Sequence, residues 1–290
     1  MRGSGKVVRE FKLINEKGQS YSLMDAENAC LLTEPSGLGY SYDTNYEQVG
    51  NTFIENLKKI EQGKITGTAN FEKYDNYKKL VNFIDDAESL RFSYKIPFAN
   101  KEKEYLKNVD FKEITKTQKA ENGIISETIT FECLGLWYEE NTIEYKINPS
   151  EDEIRWDFIW DAMFNDNNSQ NVIYQNTGHV PAPIVLEMSG PVSNPHVEVY
   201  IEDMLYQELK INTTIAEYEK LIYNSKENEF TIKKIKTDGT EEDLFDLDII
   251  DFENDNVIRI PKNKTCEIRL KADNIIENAK LTILPQYKSV

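Results

Sequence analysis

The second half of this chain is a series of short apolar segments separated by turn residues, and this spacing constrains the fold more than any other feature. The segments run through residues 184–188, 196–201, 205–211, 215–223, 230–235, 258–260, 266–270 and 279–284. Asp238-Gly239 provides a hairpin turn, because Gly tolerates a positive φ. Evenly spaced strands without a helical pattern are typical of antiparallel sandwiches. The sequence therefore predicts a β-sandwich in which no helix is required.

Two rigid turn motifs frame the first of these strands. They are Asn176-Thr-Gly-His-Val-Pro-Ala-Pro183 and Gly190-Pro-Val-Ser-Asn-Pro195. Both contain the residues that favour turns, and neither lies beside a recognisable catalytic pattern. We interpret them as turn-forming segments.

The first half begins with a predicted hairpin, residues 9–15 and 20–23, closed by a turn at Glu16-Lys-Gly18. The following Cys30–Tyr42 run is rich in Gly and Pro, which favours a loop or a bent edge strand. Residues 40–54 and 63–71 have a period of two, and we predict one strand in each.

A helix is predicted over Tyr74–Glu88, because Tyr77, Leu80, Val81 and Ile84 recur at helical spacing. The strictly alternating segment 90–96 is typical of a half-buried strand. Residues 109–117 and 125–134 flank Asn122-Gly123, a strong signal for a tight turn, so a long hairpin is predicted to close this half.

The length of 290 residues favours two domains. Between residues 145 and 171 the composition changes, and we place the boundary there, giving domains 1–147 and 148–290. Ser150 and Glu153 fit a capping box that opens a short helix, whereas Trp156, Phe158 and Trp160 fit an alternating strand. The pattern leaves both alternatives open.

The net charge of -17 would repel phosphate backbones and anionic bilayers, which argues against nucleic-acid and membrane-surface partners. No apolar run resembles a signal peptide or a membrane span, so we expect synthesis in a cytoplasm without Sec export. Cys30, Cys133 and Cys266 are odd in number and far apart. We predict that all three are buried free thiols.

The sequence offers little for catalysis, and we predict no catalytic, cofactor or metal residues. His179 and His196 are the only histidines, and neither is accompanied by a Gly-x-Ser-x-Gly motif whose serine it could activate as a base. The acidic run 241–251 lacks the spacing of an EF-hand and is interpreted as a solvated strand face. The aromatic content of 11% leaves a carbohydrate-binding or adhesion module as an alternative, and a glycosidase carboxylate pair as a third hypothesis.

The order of elements in residues 9–139 resembles the N-terminal domain of siphophage distal tail (Dit) proteins and related baseplate hub components of Gram-positive phages. The matching segments are Phe11-Lys-Leu-Ile-Asn15, the helix from Tyr74 to Ile84, Leu90-Arg-Phe-Ser-Tyr94 and the run from Ile129 to Tyr138. The second half is similar to the C-terminal domain of that family through the two turn motifs and Val257-Ile-Arg-Ile-Pro261.

This resemblance implies a mainly β fold with a galectin-like C-terminal sandwich, and a structural protein of the virion without enzymatic activity. It implies a homohexameric ring that joins the tail tube to the tail tip, with the outer sandwiches holding receptor-binding proteins and, at most, touching glycans weakly. Ring closure would protect an exposed edge strand. We predict that the hairpin around Asn122-Gly123 contacts the neighbouring copy in the ring.

Overall fold

The computed structural model describes residues 9–25, 30–98, 101–116, 123–146, 169–245 and 257–290. It divides into two compact units, one comprising the chain up to Glu139 together with Tyr287–Val290, and the other comprising Glu140–Gln286. The predicted boundary at residues 147 and 148 lies outside the described residues, as do Ser150, Glu153 and the aromatic segment around Trp156. No described helix has the length and apolar character needed to span a bilayer.

The first unit is built on one antiparallel sheet and a single described helix, which confirms the predicted class. Its helix is α1 Tyr74–Asp85, and its strands are β1 Glu10–Asn15, β2 Ser20–Ser22, β3 Met24–Asp25, β4 Cys30–Ser36, β5 Tyr42–Val49, β6 Thr52–Ile60, β7 Lys64–Phe71, β8 Leu90–Phe98, β9 Lys101–Ile114, β10 Ile125–Cys133 and β11 Trp137–Tyr138. The hairpin of β1 and β2, the strand β8 and the pairing of β9 with β10 are confirmed.

The main sheet of this unit closes on itself. Its strand order is β2-β1-β8-β9-β10-β7-β4-β3, and β2 and β3 are consecutive parts of the segment 20–25. Between them, the Leu23 N–H donates to the Phe11 carbonyl at 2.9 Å, and the Leu23 carbonyl accepts from the Leu32 N–H at 2.8 Å. The two ends of the sheet are thus joined, as in a barrel, although β9 pairs with β8 only up to Val109 and with β10 only from Val109 onwards.

An aromatic cluster fills the inside of this sheet. The Phe92 ring lies 5.7 Å from Phe11, 5.9 Å from Phe131 and 6.3 Å from Trp137, centroid to centroid. Strands β1 and β7 alternate strictly between buried and more exposed residues, so the period of two in the sequence is the period of burial.

Helix α1 packs on this core through Leu80 and Ile84, as its spacing predicts. It ends at Asp85, three residues before the predicted end at Glu88. The Asp86 N–H still donates to the Asn82 carbonyl at 2.9 Å, and Ala87 turns away through a bond to the Ile84 carbonyl. The predicted end was wrong because apolar spacing continues past the last helical hydrogen bond.

The prediction of one strand over residues 40–54 was also wrong. This region is a hairpin, in which β5 pairs with β6 around a turn at Gly50, where φ is +63°. Gly50-Asn51 is a recognised hairpin signal that the sequence analysis missed. The neighbouring β4 is a bent strand, with a register shift after Thr33 and a positive φ at Glu34.

The second unit contains two large antiparallel sheets and a small two-stranded sheet of β15 and β18. Its strands are β12 Asn141–Lys146, β13 Ser169–Gln175, β14 Ala182–Ser189, β15 Val192–Ser193, β16 His196–Ile201, β17 Met204–Lys210, β18 Thr214–Ile215, β19 Lys220–Asn224, β20 Thr231–Ile235, β21 Glu241–Asp243, β22 Arg259–Ile260, β23 Thr265–Lys271, β24 Asn278–Ile283 and, at the boundary, β25 Gln286–Tyr287. One sheet has the order β12-β24-β14-β19-β20-β21, and the other has the order β13-β23-β16-β17.

Both sheets contribute to one hydrophobic core, which contains Ile184 and Leu281 from one and Val199 and Ile268 from the other. No helix occurs among the described residues of this unit, and Gly239 (φ +84°) turns β20 into β21, both as predicted. Segment 215–223 was wrongly predicted as one strand.

A tight turn interrupts that segment at Tyr218, where φ is +68°. It separates β18 from β19. The Glu219 carboxylate accepts the Ala216 N–H at 2.9 Å, while the Glu219 N–H donates to the Ala216 carbonyl. This local side-chain cap breaks the strand, and apolar alternation does not reveal it.

Candidate assembly surface

The hairpin formed by β5 and β6 is the most exposed apolar feature of the first unit. The strands pair from Tyr42 opposite Ile60 to Val49 opposite Thr52, with a bulge after Asn45. They form a two-stranded sheet of their own, separate from the closed main sheet. Strands of this length extend about 25–30 Å. An isolated two-stranded hairpin is only marginally stable in water.

Large apolar side chains are exposed on both faces of this hairpin. Phe53 is 66% exposed and shares a face with Tyr46, whereas Ile54, Leu57 and Val49 lie on the opposite face by the pairing register. The large hydrophobic residues that are exposed here are Tyr46, Val49, Phe53, Ile54, Leu57 and Ile60. A contiguous apolar surface of this kind is typical of a protein interface.

The root of the hairpin is fixed by polar contacts. The Tyr42 hydroxyl accepts a hydrogen bond from the Lys288 ammonium at 2.6 Å, and this bond raises the pKa of Lys288. The Lys58 ammonium lies 4.7 Å from the centre of the Tyr42 ring, within cation–π range. The Glu61 N–H donates to the Ser41 carbonyl at 3.0 Å, which closes the base of the hairpin. The exposed strands therefore project from a defined root.

The hairpin predicted to make contacts between copies occupies a different environment. In the main sheet, β9 lies between β8 and β10, and β10 lies between β9 and β7. Strand β9 pairs with β8 up to Val109 and with β10 from Val109 to Ile114, and Ile129 and Phe131 are buried in the core. Of its turn, Asn122 lies outside the described residues and Gly123 has a φ of +83°. The contact predicted for this hairpin stays a prediction, whereas β5 and β6 expose large apolar side chains.

The two turn motifs of the second unit have structural roles. Asn176 is fully buried; its side-chain amide donates to the carbonyls of Val180 and Ile260 at 3.0 and 2.8 Å, and its oxygen accepts the Gly178 N–H at 2.8 Å. In the second motif, a Cβ added to Gly190 would lie 1.9 Å from the Ala216 carbonyl oxygen. Both motifs are places where the chain passes close to itself.

The two histidines lie in different surroundings. The exposed His179 is held by its backbone, whose N–H donates to the Gln286 carbonyl at 2.7 Å. His196 lies on a sheet surface, where its Nε2 is 2.6 Å from the Glu208 carboxylate and 3.7 Å from that of Glu198. Neither histidine has a serine or cysteine nucleophile among its described hydrogen-bond partners.

His196, Glu198 and Glu208 are the only three groups in the described part of the chain that are clustered closely enough to share a metal ion. Ammonium groups already pair with both carboxylates: Lys210 lies 3.0 Å from Glu208 and Lys271 lies 2.8 Å from Glu198. Burial raises the pKa of Glu208, but the hydrogen bonds from Lys210 and His196 outweigh burial and lower it. The cluster is an ion-pair network across β16, β17 and β23.

All three cysteines are buried and free, as predicted. Burial raises the pKa of each thiol, and raises that of Cys30 to about 12, so none has the character of a reactive thiolate. Of the aromatic residues considered for sugar stacking, Trp156 and Trp160 lie outside the described residues. On the surface of β16, Tyr200 is stacked under the Arg269 guanidinium at 4.1 Å, which occupies a ring face that a sugar would need.

The sequence profile of the family described as "Distal tail protein, N-terminal domain" matches residues 10–134, which includes the exposed hairpin, α1 and β10. No curated protein sequence matched the chain.

Solved structures share the fold over nearly the whole chain. A protein of the activated, calcium-containing baseplate of phage P2 has a TM-score of 0.66 at 18% identity, covering 98% of this chain and 100% of that one. The corresponding strontium structure gives 0.65 at 17% identity, with coverage of 98% and 100%. The Dit protein of phage SPP1, described as a paradigm of the hub adsorption apparatus in phages infecting Gram-positive bacteria, gives 0.55 at 12% identity, with coverage of 94% and 98%. Residues 10–134 thus match the N-terminal domain of distal tail proteins, and the chain as a whole shares its fold with these phage baseplate and hub proteins.

Proposed function

We propose that this distal tail protein assembles into a homohexameric ring, and that the β5–β6 hairpin of each copy contacts the next copy. The single observation that carries the proposal is the two-sided apolar hairpin, with Phe53 on one face and Ile54 and Leu57 on the other. It is exposed in a unit whose main sheet has closed its own edges.

Ring formation follows from the physical chemistry of this surface. Both strands of the hairpin carry unpaired backbone groups and apolar side chains, a combination that aggregates unless a partner covers it. A contact between two different surfaces of identical copies generates a ring when the rotation closes. The charge of -17 on each chain keeps separate copies apart until enough surface is buried to offset the repulsion.

The ring would connect the tail tube to the tail tip in the virion, after assembly in the host cytoplasm without Sec export. The family match of residues 10–134 and the baseplate structures that share the fold support this placement. The second unit would act as a galectin-like arm that holds adsorption proteins. The protein would act as a scaffold without catalysis, which is supported by the absence of a histidine–nucleophile pair among the described residues.

A shortened hairpin tests the proposal directly. Residues 43–59 are replaced by Asn-Gly, so that a two-residue turn joins Tyr42 to its partner Ile60. We expect the unmodified chain to show a mass by light scattering near six times 33.7 kDa, and the shortened chain to remain monomeric with unchanged circular dichroism in the far ultraviolet.

The control replaces a turn in the second unit, Asp238-Gly239, by Asn-Gly, which keeps the hairpin geometry of β20 and β21. This variant should assemble like the unmodified chain. A shortened chain that still assembles to the full mass, or an unmodified chain that stays monomeric at high concentration, would contradict the proposal.

A further inference from the structure

A groove with a volume of 290 Å³ lies in the first unit between the C-terminal half of α1 and strand β9. Its floor is apolar and contains Ile84, Leu90 and Val109, all buried. On β9, Phe111 lines the same groove with 37% of its surface exposed, although its ring also packs on Phe131 at 6.1 Å. A concave apolar surface of this size accommodates one or two side chains of a partner.

The rim of this groove is acidic. Asp85, Glu88 and Asp110 line it and are exposed, and none of them forms an ion pair within the described part of the chain. Asp85 is the last residue of α1, whose final turn carries no basic residue. The helix dipole places further negative potential at that end, where a cation is favoured and a carboxylate is not. An occupant of this groove should therefore combine apolar and cationic side chains.

Strand β6 presents that combination. Leu57 is 54% exposed, and Lys59 lies on the same face, because side chains alternate along a strand. Lys59 has one exposed carboxylate partner in its own hairpin, Asp43 at 3.2 Å. An exposed pair of this kind contributes little, so Lys59 can turn to another carboxylate at small cost.

The closed main sheet narrows the ways in which the hairpin can be covered. Segment 20–25 joins the two ends of the sheet, so no whole strand lies at an open end of it. The pairing of β8 with β9 stops at Val109, so residues 110–114 of β9 pair with β10 alone and face the groove on their other side. This groove offers the apolar hairpin a concave surface.

We infer that the groove between α1 and β9 receives strand β6 of the neighbouring copy, with Leu57 above the apolar floor and Lys59, on the same face of the strand, towards the acidic rim. The inference rests on the proposed ring and names its second contact surface. Hairpin and groove are different parts of one unit, so a contact between them is heterologous. An open chain of copies therefore has a free hairpin at one end and a free groove at the other, and both are filled when the ring closes.

Cross-linking between copies tests the inference. One preparation carries Leu57→Cys and another carries Phe111→Cys; they are mixed, assembled and mildly oxidised. The native cysteines are at most 5% exposed and should not react. We expect a reducible covalent dimer that contains one copy of each variant. The matched control pairs Leu57→Cys with Met204→Cys, an exposed apolar site in the second unit, and should give at least tenfold less dimer.

Charge reversal provides an independent readout. The variant Lys59→Glu should raise the concentration at half-assembly at least tenfold, because it places like charges against the rim. Adding Asp85→Lys and Asp110→Lys to the same chain should restore assembly, since every interface then carries both reversed surfaces. Lys262→Glu, an exposed change in the second unit, is the control and should leave assembly unchanged.

The outcomes separate this inference from the proposed function. Ring-sized assemblies that lack a cross-link between positions 57 and 111, or a three-residue charge-reversed variant that does not recover assembly, would overturn the groove contact and leave the ring standing. An unmodified chain that stays monomeric at high concentration would overturn the proposed function itself.

Discussion

Two hairpins of the first unit have opposite surroundings. The β9–β10 hairpin lies within the main sheet, between β8 and β7, and its Phe131 is buried. The β5–β6 hairpin forms a separate two-stranded sheet, and its Phe53 is mostly exposed. One hairpin stabilises the fold of a single copy, whereas the other, in the proposed ring, would be stabilised by the copy that covers it.

The comparison shows that apolar alternation does not identify which surface a strand will meet. Apolar side chains on a pleated strand contribute to the core in one hairpin and to an exposed surface in the other, because the strand pattern reports the pleat and not its neighbours. Whether a hairpin is buried or exposed depends on the strands that lie beside it. This dependence can be tested by changing equivalent residues in the two hairpins and by measuring folding and assembly separately.

The largest effect is expected from truncating an aromatic residue in each hairpin. Phe131→Ala should lower the free energy of unfolding by about 3–5 kcal/mol, because it leaves a cavity beside Phe92. Phe53→Ala should change the stability of the dilute monomer by no more than about 0.5 kcal/mol, as exposed substitutions generally do. Denaturant unfolding measures both variants. Equal losses in the free energy of unfolding would show that the two hairpins contribute equally to the fold of a single copy.

A smaller effect is expected at the root of the exposed hairpin. A Cβ at Gly37, where φ is +80°, would lie 1.7 Å from the Lys64 carbonyl oxygen, so Gly37→Ala should cost about 1–3 kcal/mol. The matched control is Gly39→Ala, whose added Cβ meets no atom within 4 Å. Thermal unfolding compares the two, and equal melting temperatures would show that the root is not held against β7.

Assembly should respond to a single polar substitution on the exposed hairpin. Ile54→Ser should raise the half-assembly concentration about tenfold, corresponding to roughly 1.4 kcal/mol of lost apolar burial. Ile173→Ser, at a similarly exposed position of the second unit, is the control and should have no such effect. Dilution series followed by light scattering distinguish the two. Equal shifts of the half-assembly concentration in the two variants would show that the exposed hairpin is not the interface.

The smallest effect concerns the ion pairs that cross the buried hairpin. The hydrogen bond from Lys112 at 2.6 Å holds the pKa of Glu132 below its usual value. As pH falls, the unfolded chain takes up this proton first, so the stabilisation is complete above the ordinary carboxyl pKa and is lost as pH falls through the lowered value. Glu132→Gln should therefore be slightly destabilising at pH 7 and neutral near pH 3. The same loss at both pH values would contradict this assignment.

Local signals in the sequence predicted the elements well. Helical spacing placed Leu80 and Ile84 on the core, and Asp238-Gly239 fixed a hairpin turn, because each depends on residues close in the chain. The class of the fold followed from the same periodicities. The motif around Asn176 was identified as a turn, although its buried hydrogen bond to Ile260 spans the sheet and only coordinates show it.

The candidate surface was harder to predict. Gly50-Asn51 could have revealed the exposed hairpin, but its exposure depends on the closure of the main sheet through Leu23, which is a property of distant pairings. The hairpin around Asn122-Gly123 was identified from its local turn signal, and its contact with another copy stays a prediction. The acidic groove joins α1 to β9, and nothing in either segment alone indicates it.

Hydrogen exchange of the assembled protein tests directly whether a second copy covers the β5–β6 hairpin. We predict that the amides of β5 and β6 exchange quickly in the dilute monomer and become protected when the mass increases, while those of β9 and β10 are protected in both states. If the amides of β5 and β6 exchange equally fast in the assembled protein, the hairpin remains uncovered and the proposed contact is wrong.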